Sequence, residues 1–124
     1  MIEMPFEKLK IWQKAVELVD FVYRVTRQFP KEESFGLVAQ MRRAVVSIPS
    51  NIAEGSQRST PKEFAHFILI AKGSLAELRT EMLVSKNQKL LSMEVWSAFC
   101  MQADELDKML RAFYLVLLKK KNAR

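Results

Sequence analysis

The residues of this sequence that are best suited to chemistry are one histidine, one cysteine and a pair of glutamates. His66 and Cys100 are the only residues of their types, so a zinc site built from several His and Cys ligands cannot form within one chain. A thiol nucleophile needs an adjacent base, and no spacing supports Cys100 and His66 as such a pair. We interpret His66 as a core or interface histidine near the start of a helix.

Glu77 and Glu81 stand four residues apart, so a helix carries both carboxylates on one face. The di-iron sites of helix bundles need a histidine three residues after such a glutamate, and neither of these two has one. The three glycines are isolated and form no glycine-rich phosphate loop. This inventory predicts a protein that is not an enzyme and that uses no metal or other cofactor; an enzyme with a site in a bundle core is the weaker alternative.

The most unusual stretch is "QMRRAVVSIPSNIAEGSQR", residues 40–58. At about 100° per residue, the helix that contains it has three faces. The core-facing stripe comprises Leu37, Met41, Ala44, Val45, Ile48 and Ile52. A polar strip comprises Gln40, Arg43, Ser47, Asn51, Glu54 and Arg58. The third face presents Ala39, Val46 and Ala53 at a spacing of seven, flanked by Arg42 and Pro49.

This third face is too apolar for a helix surface that meets only water. We therefore predict a joint with another subunit, with the polar strip hydrogen-bonded across it. The residues assigned to this joint are Ala39, Arg43, Val46, Ser47, Pro49, Asn51, Ala53 and Glu54. The alternative is a solvated face on which Glu54 and Arg58 form an exposed i, i+4 ion pair.

Pro49 stands inside this helix, where it removes one amide donor and crowds the carbonyl of Val45. A proline in a helix interior costs about 3 kcal/mol and bends the axis. The freed carbonyl could accept a hydrogen bond from a side chain such as that of Ser50.

Apolar residues at alternating spacings of three and four predict helices at roughly 9–28, 34–56, 61–85 and 92–118. Thr60, followed by Pro61 and Glu63, forms a capping box that fixes the start of the third helix.

The other helix ends are marked by single residues. Pro30 ends the first helix, Gly55 and the polar residues after it end the second, and Ser92 caps the fourth. A polar connector begins at Ser85. Within the third helix, Gly73 with Ser74 is predicted to permit the close approach of another helix.

Short connections favour antiparallel packing of successive helices. We predict a single all-α domain over 1–124, an up-down-up-down antiparallel four-helix bundle with a frayed basic tail at 119–124.

The composition limits the class of protein further. Hydrophobic residues make up 49% of the 124 residues and charged residues 27%, a helical and globular balance. The formal net charge of +6 suits phosphate polyanions, with Arg42, Arg58, Lys119, Lys120 and Lys121 as candidate nucleic-acid contacts. The single cysteine, the absence of a signal pattern and apolar runs far below the ~20 residues of a membrane span predict a soluble cytoplasmic protein.

Four stretches carry a resemblance to a known family: "FEKLKIWQKA", "FPKEESFGL", "QMRRAVVSIPSNIAEGSQRS" and "FILIAKGSLAEL". Together they resemble the 23S ribosomal RNA intervening-sequence proteins, which are small bacterial four-helix bundles without an established biochemical role. A related branch comprises accessory proteins of diversity-generating retroelements, which form basic pentameric barrels that bind nucleic acid and a reverse transcriptase. The signature positions fall on Arg42, Arg43, Ser47, Ile48, Pro49, Asn51, Ile52, Ala53, Glu54, Gly55, Arg58, Gly73, Ser74 and Glu77.

The resemblance implies a homopentamer and contact with nucleic acid, and it carries no catalytic residue over to this chain. Two hypotheses follow. The first is a non-enzymatic protein that binds RNA or DNA through a basic surface. The alternative is a homo-oligomeric scaffold for a protein partner such as a reverse transcriptase, without direct contact to nucleic acid.

Overall fold

The computed structural model of the protein describes residues 5–120, and in this range it contains helices and no strand. Its four α-helices are α1 (Lys10–Thr26), α2 (Leu37–Ser56), α3 (Pro61–Asn87) and α4 (Met93–Lys119). Two short 3-10 turns, Phe6–Lys8 and Lys31–Glu33, precede α1 and α2. The predicted all-α class and the four helices are confirmed, with ends that differ from the predicted ones by up to three residues. Lys121 and the rest of the predicted basic tail beyond 120 lie outside the described residues.

The helices pack as the short connections predicted. Each helix contacts its neighbours in the chain, and α1 also contacts α4 to close the bundle. The Nε atom of Arg42, near the start of α2, donates to the Oγ1 atom of Thr26 at the end of α1 over 3.0 Å. Lys14, in the first half of α1, lies 3.4 Å from Glu105 near the middle of α4. These pairings are those of an antiparallel four-helix bundle.

The core lies where the apolar stripes of the four helices meet. It includes the large, fully buried residues Leu18, Met41, Ile48, Leu78, Met82, Phe99 and Leu110. Burying one such side chain contributes about 1.5–3 kcal/mol, so the stripes supply the main force that holds the helices together.

Two predicted caps are present. The Oγ1 atom of Thr60 accepts a hydrogen bond from the backbone N–H of Glu63 at 3.1 Å, and the Glu63 carboxylate accepts one from the N–H of Ser59 at 3.2 Å. Ser92 caps α4 by accepting from the N–H of Val95 at 3.1 Å. These bonds satisfy amides that have no partner within the helices.

The prediction that a connector begins at Ser85 is wrong. Ser85 is fully buried and its hydroxyl donates to the carbonyl of Glu81 at 2.9 Å, so α3 continues to Asn87. After the helix, Lys89 adopts a left-handed backbone conformation with φ of 62°. The backbone N–H of Leu90 donates a hydrogen bond to the carbonyl of Ser85 at 2.9 Å. This is a Schellman ending, formed here without the usual glycine.

The prediction that Gly73 with Ser74 permits a close helix approach is confirmed at Ser74, whose hydroxyl lies 2.8 Å from that of Ser47 on α2, but is wrong at Gly73 within the single chain. A Cβ atom at Gly73 would meet no atom of the described residues within 4 Å. The glycine that a close approach requires is Gly55, where an added Cβ would lie 2.7 Å from the Cβ of Phe67 and 2.8 Å from Cδ1 of Phe64. Gly55 therefore serves the packing of α2 on α3, whereas nothing in the bundle requires a glycine at position 73.

Pro49 lies inside α2 and is buried. The side chain of Ser50 is exposed and forms no hydrogen bond to the carbonyl of Val45 among the described residues, so that suggested compensation does not occur. The burial of the ring and of its neighbours Ile48 and Ile52 holds α2 together across the proline.

We expect opposite effects from alanine at the two glycines of α2 and α3. Gly55→Ala should lower the free energy of unfolding by about 1–3 kcal/mol, because its Cβ overlaps the Phe67 Cβ. Gly73→Ala should raise it by about 0.5–1 kcal/mol through helix propensity alone. Urea unfolding of dilute protein measures both. A loss of stability in Gly73→Ala would contradict this account.

Candidate functional site

The polar strip of α2 is partly satisfied inside the chain, on the side that faces α3. The hydroxyls of Ser47 and Ser74 lie 2.8 Å apart. The amide of Asn51 donates to both the carbonyl and the hydroxyl oxygen of Ser47, at 2.8 and 2.9 Å. These bonds join α2 to α3 near the middle of both helices, so Ser47 and Asn51 have partners without a second subunit.

Glu54 and Arg58 form the exposed i, i+4 pair of the solvated-face alternative. The two charged groups are 2.9 Å apart, and both side chains are more than a third exposed. Such a pair is worth roughly 0.3–0.5 kcal/mol. The guanidinium of Arg58 also lies 4.7 Å from the centre of the Phe67 ring, which fixes its position over α3.

The third face of α2 is narrower than the helical wheel predicted. Pro49 is buried, and Arg42 is half-buried against α1, where its guanidinium stacks 4.3 Å from the Tyr23 ring centre. Arg42 is covered because α1 packs on that flank of α2. Ala39 and Ala53 are half-buried, whereas Val46 keeps 40% of its surface exposed.

The third helix extends this surface, which the sequence analysis did not foresee. Ile70 and Val84 of α3 are 39% and 42% exposed, and Gly73 between them is exposed too. We define the seam face as the outer surface of α2 and α3 that includes the exposed residues Arg43, Val46, Ile70, Gly73, Glu77 and Val84. The sequence pattern of α3 was the signal that could have predicted this surface. A helix with apolar residues on all sides is usually buried on all sides.

A groove opens at one end of the seam face and contains an orphan carboxylate. Glu81 is only 7% exposed, and its Oε1 atom has no hydrogen-bond partner among residues 5–120. Burial and then the neighbouring charge of Glu77 raise the pKa of Glu81 to about 7, against an opposing effect of Arg43. The groove also includes Glu33 from the turn before α2. Three carboxylates thus meet in one groove of an otherwise basic protein.

The raised pKa of Glu81 predicts how stability depends on pH. Between about pH 4.5 and 7 the folded chain binds more protons than the unfolded chain, so the free energy of unfolding should fall as pH rises. Glu81→Gln removes this penalty and should stabilise the dilute protein above pH 7 by about 1–3 kcal/mol. Its stability should equal that of the wild type in acid.

Chemical denaturation of dilute wild type and variant across this pH range makes the comparison. Glu17→Gln, an exposed site on α1, serves as the control and should change stability by less than about 0.5 kcal/mol at every pH. A Glu81→Gln variant that is less stable than the wild type in dilute alkaline solution would show that Glu81 has a partner in the single chain.

A second candidate surface is the end of the bundle where α2 ends and α4 ends. Antiparallel packing brings Arg58, Lys119 and Lys120 to this end, all of them exposed. Lys62 and His66 of the first turns of α3 join Arg58 around a pocket against the Phe67 ring. Arg42 lies elsewhere, against α1. Of the predicted nucleic-acid contacts that the structure describes, three therefore lie at one end of the bundle.

His66 is exposed, so the core alternative for this residue is wrong. Glu63 and His66 stand at the Glu-x-x-His spacing of di-iron bundles, a spacing that the pair Glu77 and Glu81 lacks. Glu63 instead caps α3, and within residues 5–120 no three His, Cys, Asp or Glu side chains converge to hold a metal ion. Among the described helices, none combines the length and apolar character that a membrane crossing requires.

Comparison with known proteins agrees with the resemblance in sequence. Residues 7–112 match the family model of the 23S rRNA-intervening sequence protein. This range includes α1, α2 and α3 and most of α4. Among curated proteins, none matches the chain.

Proposed function

Because the chain belongs to the 23S rRNA-intervening sequence protein family, we propose that it is a non-enzymatic, self-assembling four-helix bundle that binds nucleic acid through one basic end. The observation that carries the nucleic-acid part is the convergence of Arg58, Lys62, Lys119 and Lys120 at that end. Arg58 and Lys62 lie on either side of the start of α3, whereas Lys119 and Lys120 come from the end of α4, far away in sequence. A polyanion that touches this end meets both pairs of cations at once.

The basic end keeps a net positive charge despite the acidic groups near it. Glu54 is paired with Arg58, and Glu63 is held at the start of α3 by its capping bond. Phosphate contacts by exposed cations give affinity without base preference, and they release counterions when they form. The proposed binding is therefore steeply dependent on salt and nearly independent of sequence.

We expect the triple variant Arg58→Gln, Lys119→Gln, Lys120→Gln to bind structured RNA and duplex DNA more weakly than the wild type. Each lost phosphate contact should lower the slope of log affinity against log salt by about one. Fluorescence anisotropy titrations at several salt concentrations measure both quantities.

The control removes three positive charges at the opposite end of the bundle. Arg24→Gln, Arg27→Gln and Lys31→Gln replace exposed cations at the end of α1 and in the turn that follows it. This variant has the same net charge as the first and should keep most of the affinity and the slope. Equal losses in the two variants would assign the binding to net charge and not to the basic end.

The self-assembly part rests on the seam face. Val46, Ile70 and Val84 leave about two-fifths of their surfaces in water, and Gly73 beside them lowers the helix propensity of α3 by about 1 kcal/mol with no neighbour that needs the space. A glycine at this position is explained if the backbone of another chain approaches there. The family resemblance implies five copies.

Val46→Lys should dissociate the assembly while leaving the single chain helical, because a charge buried at a joint without a partner is costly. Met101→Lys is the matched control, since Met101 is 72% exposed on α4, away from the seam face. Light scattering gives the masses and circular dichroism the helicity. If Val46→Lys keeps the wild-type mass, the seam face is not the joint.

The alternative function is a scaffold for a protein partner such as a reverse transcriptase, without direct contact to nucleic acid. Like the first proposal, this alternative uses the seam face for self-assembly, but it does not require the basic end to bind nucleic acid. A wild-type protein that assembles and yet fails to bind either nucleic acid at low salt would favour this alternative.

A further inference from the structure

The orphan oxygen of Glu81 lies in a site that the single chain leaves incomplete. A buried carboxylate oxygen without a hydrogen-bond partner destabilises the fold. None of the ion pairs among the described residues involves Glu33, Glu77 or Glu81. Arg43, whose charge favours the ionised form of Glu81, is exposed and forms no ion pair with it. The groove therefore has an excess of negative charge.

The walls of the groove limit the chemistry of what could fill it. Leu37 and Val84 provide apolar sides, and Gln40 and Thr80 provide polar groups beside the carboxylates. An aliphatic stem with a cationic head matches this arrangement, because the stem packs on apolar walls while the head donates hydrogen bonds to carboxylates. Lysine and arginine side chains have this form. A phosphate backbone would be repelled by the same three carboxylates.

The position of the groove indicates where that side chain comes from. The groove lies between α2 and α3 and shares Glu77 and Val84 with the seam face, to which the proposed function assigns self-assembly. A second copy of this chain brings 20 lysine and arginine residues, so an approaching copy complements the groove in charge.

We propose that the groove containing Glu77 and Glu81 is a receptor for a lysine or arginine side chain of a neighbouring copy, which completes the hydrogen bonding of the buried carboxylate. This inference rests on the proposed self-assembly and adds its chemical basis. In the assembly, the partner's cation holds Glu81 ionised. In the single chain, the neutral form of Glu81 is favoured by its burial and by the charge of Glu77, against the opposing effect of Arg43. Assembly therefore releases a proton and strengthens as pH rises from about 6 to 8.

The test compares the association of wild type, Glu81→Gln and the control Glu17→Gln by sedimentation equilibrium at about pH 6 and pH 8. We expect Glu81→Gln to weaken association at about pH 8 by tenfold or more, because a buried interfacial charge pair loses one partner. Its association should also lose the dependence on pH. Glu17→Gln should associate as the wild type does.

The stability of the dilute chain provides a second readout. Glu81→Gln should stabilise the single chain but weaken the assembly, and a residue that merely supports the fold would not produce opposite signs. If the wild type assembles and Glu81→Gln assembles equally well at both pH values, the receptor is refuted while self-assembly stands. If the wild type is monomeric at all concentrations, self-assembly fails and the receptor fails with it.

A free small cation is the competing occupant of the groove. Spermidine, added to the monomeric Val46→Lys variant in a calorimetric titration, probes this possibility. Saturable binding of one spermidine that Glu81→Gln abolishes would assign the groove to a small polyamine and overturn the proposal. No heat of binding to the groove is expected if the site requires a side chain held in place by the rest of a neighbouring copy.

Discussion

The close packing of α2 against α3 is the constraint on which the rest of the structure depends. At one end Gly55 leaves room for Phe64 and Phe67. In the middle the hydroxyls of Ser47 and Ser74 meet at 2.8 Å. At the other end the Ser85 hydroxyl reaches the sulfur of Met41 at 3.5 Å. Small residues at the contact let two helices approach closely, and this approach leaves the bulkier apolar residues of α3 facing outward.

That approach also explains why polar residues stand in the middle of α2. Ser47 and Asn51 satisfy one another and Ser74 across the helix pair, and each such bond contributes about 0.5–1.5 kcal/mol net. Arg42 does the same on the opposite flank by bonding Thr26 and stacking on Tyr23. Both flanks of α2 thus have partners within the chain, whereas the strip between them, with Arg43 and Val46, remains open.

Charge is distributed unevenly over the bundle. The basic end gathers cations from helix termini that are distant in sequence, and the groove near the other end of α3 gathers Glu33, Glu77 and Glu81. The net charge of +6 is a sum over the whole chain and therefore does not give the local charge of either region. The separation allows one surface to attract phosphate and another to attract a cationic side chain, because charges much farther apart than about 8–10 Å are largely screened at physiological ionic strength.

The sequence by itself determined the four helices, the core stripes and the caps at Thr60 and Ser92, because these depend on a 3.6-residue period and on local hydrogen bonds. The sequence also contains the motifs by which the chain resembles its family. Only the tertiary structure decided what each flank of α2 meets: α1 covers Arg42, and α3 supplies Ser74 to Ser47. It likewise assigned the close approach to Gly55 and not to Gly73, and showed that Glu81 is buried without a partner. A helical wheel fixes which residues share a face, but the neighbour of each face depends on how the other helices dock, and that is set by contacts between residues far apart in sequence.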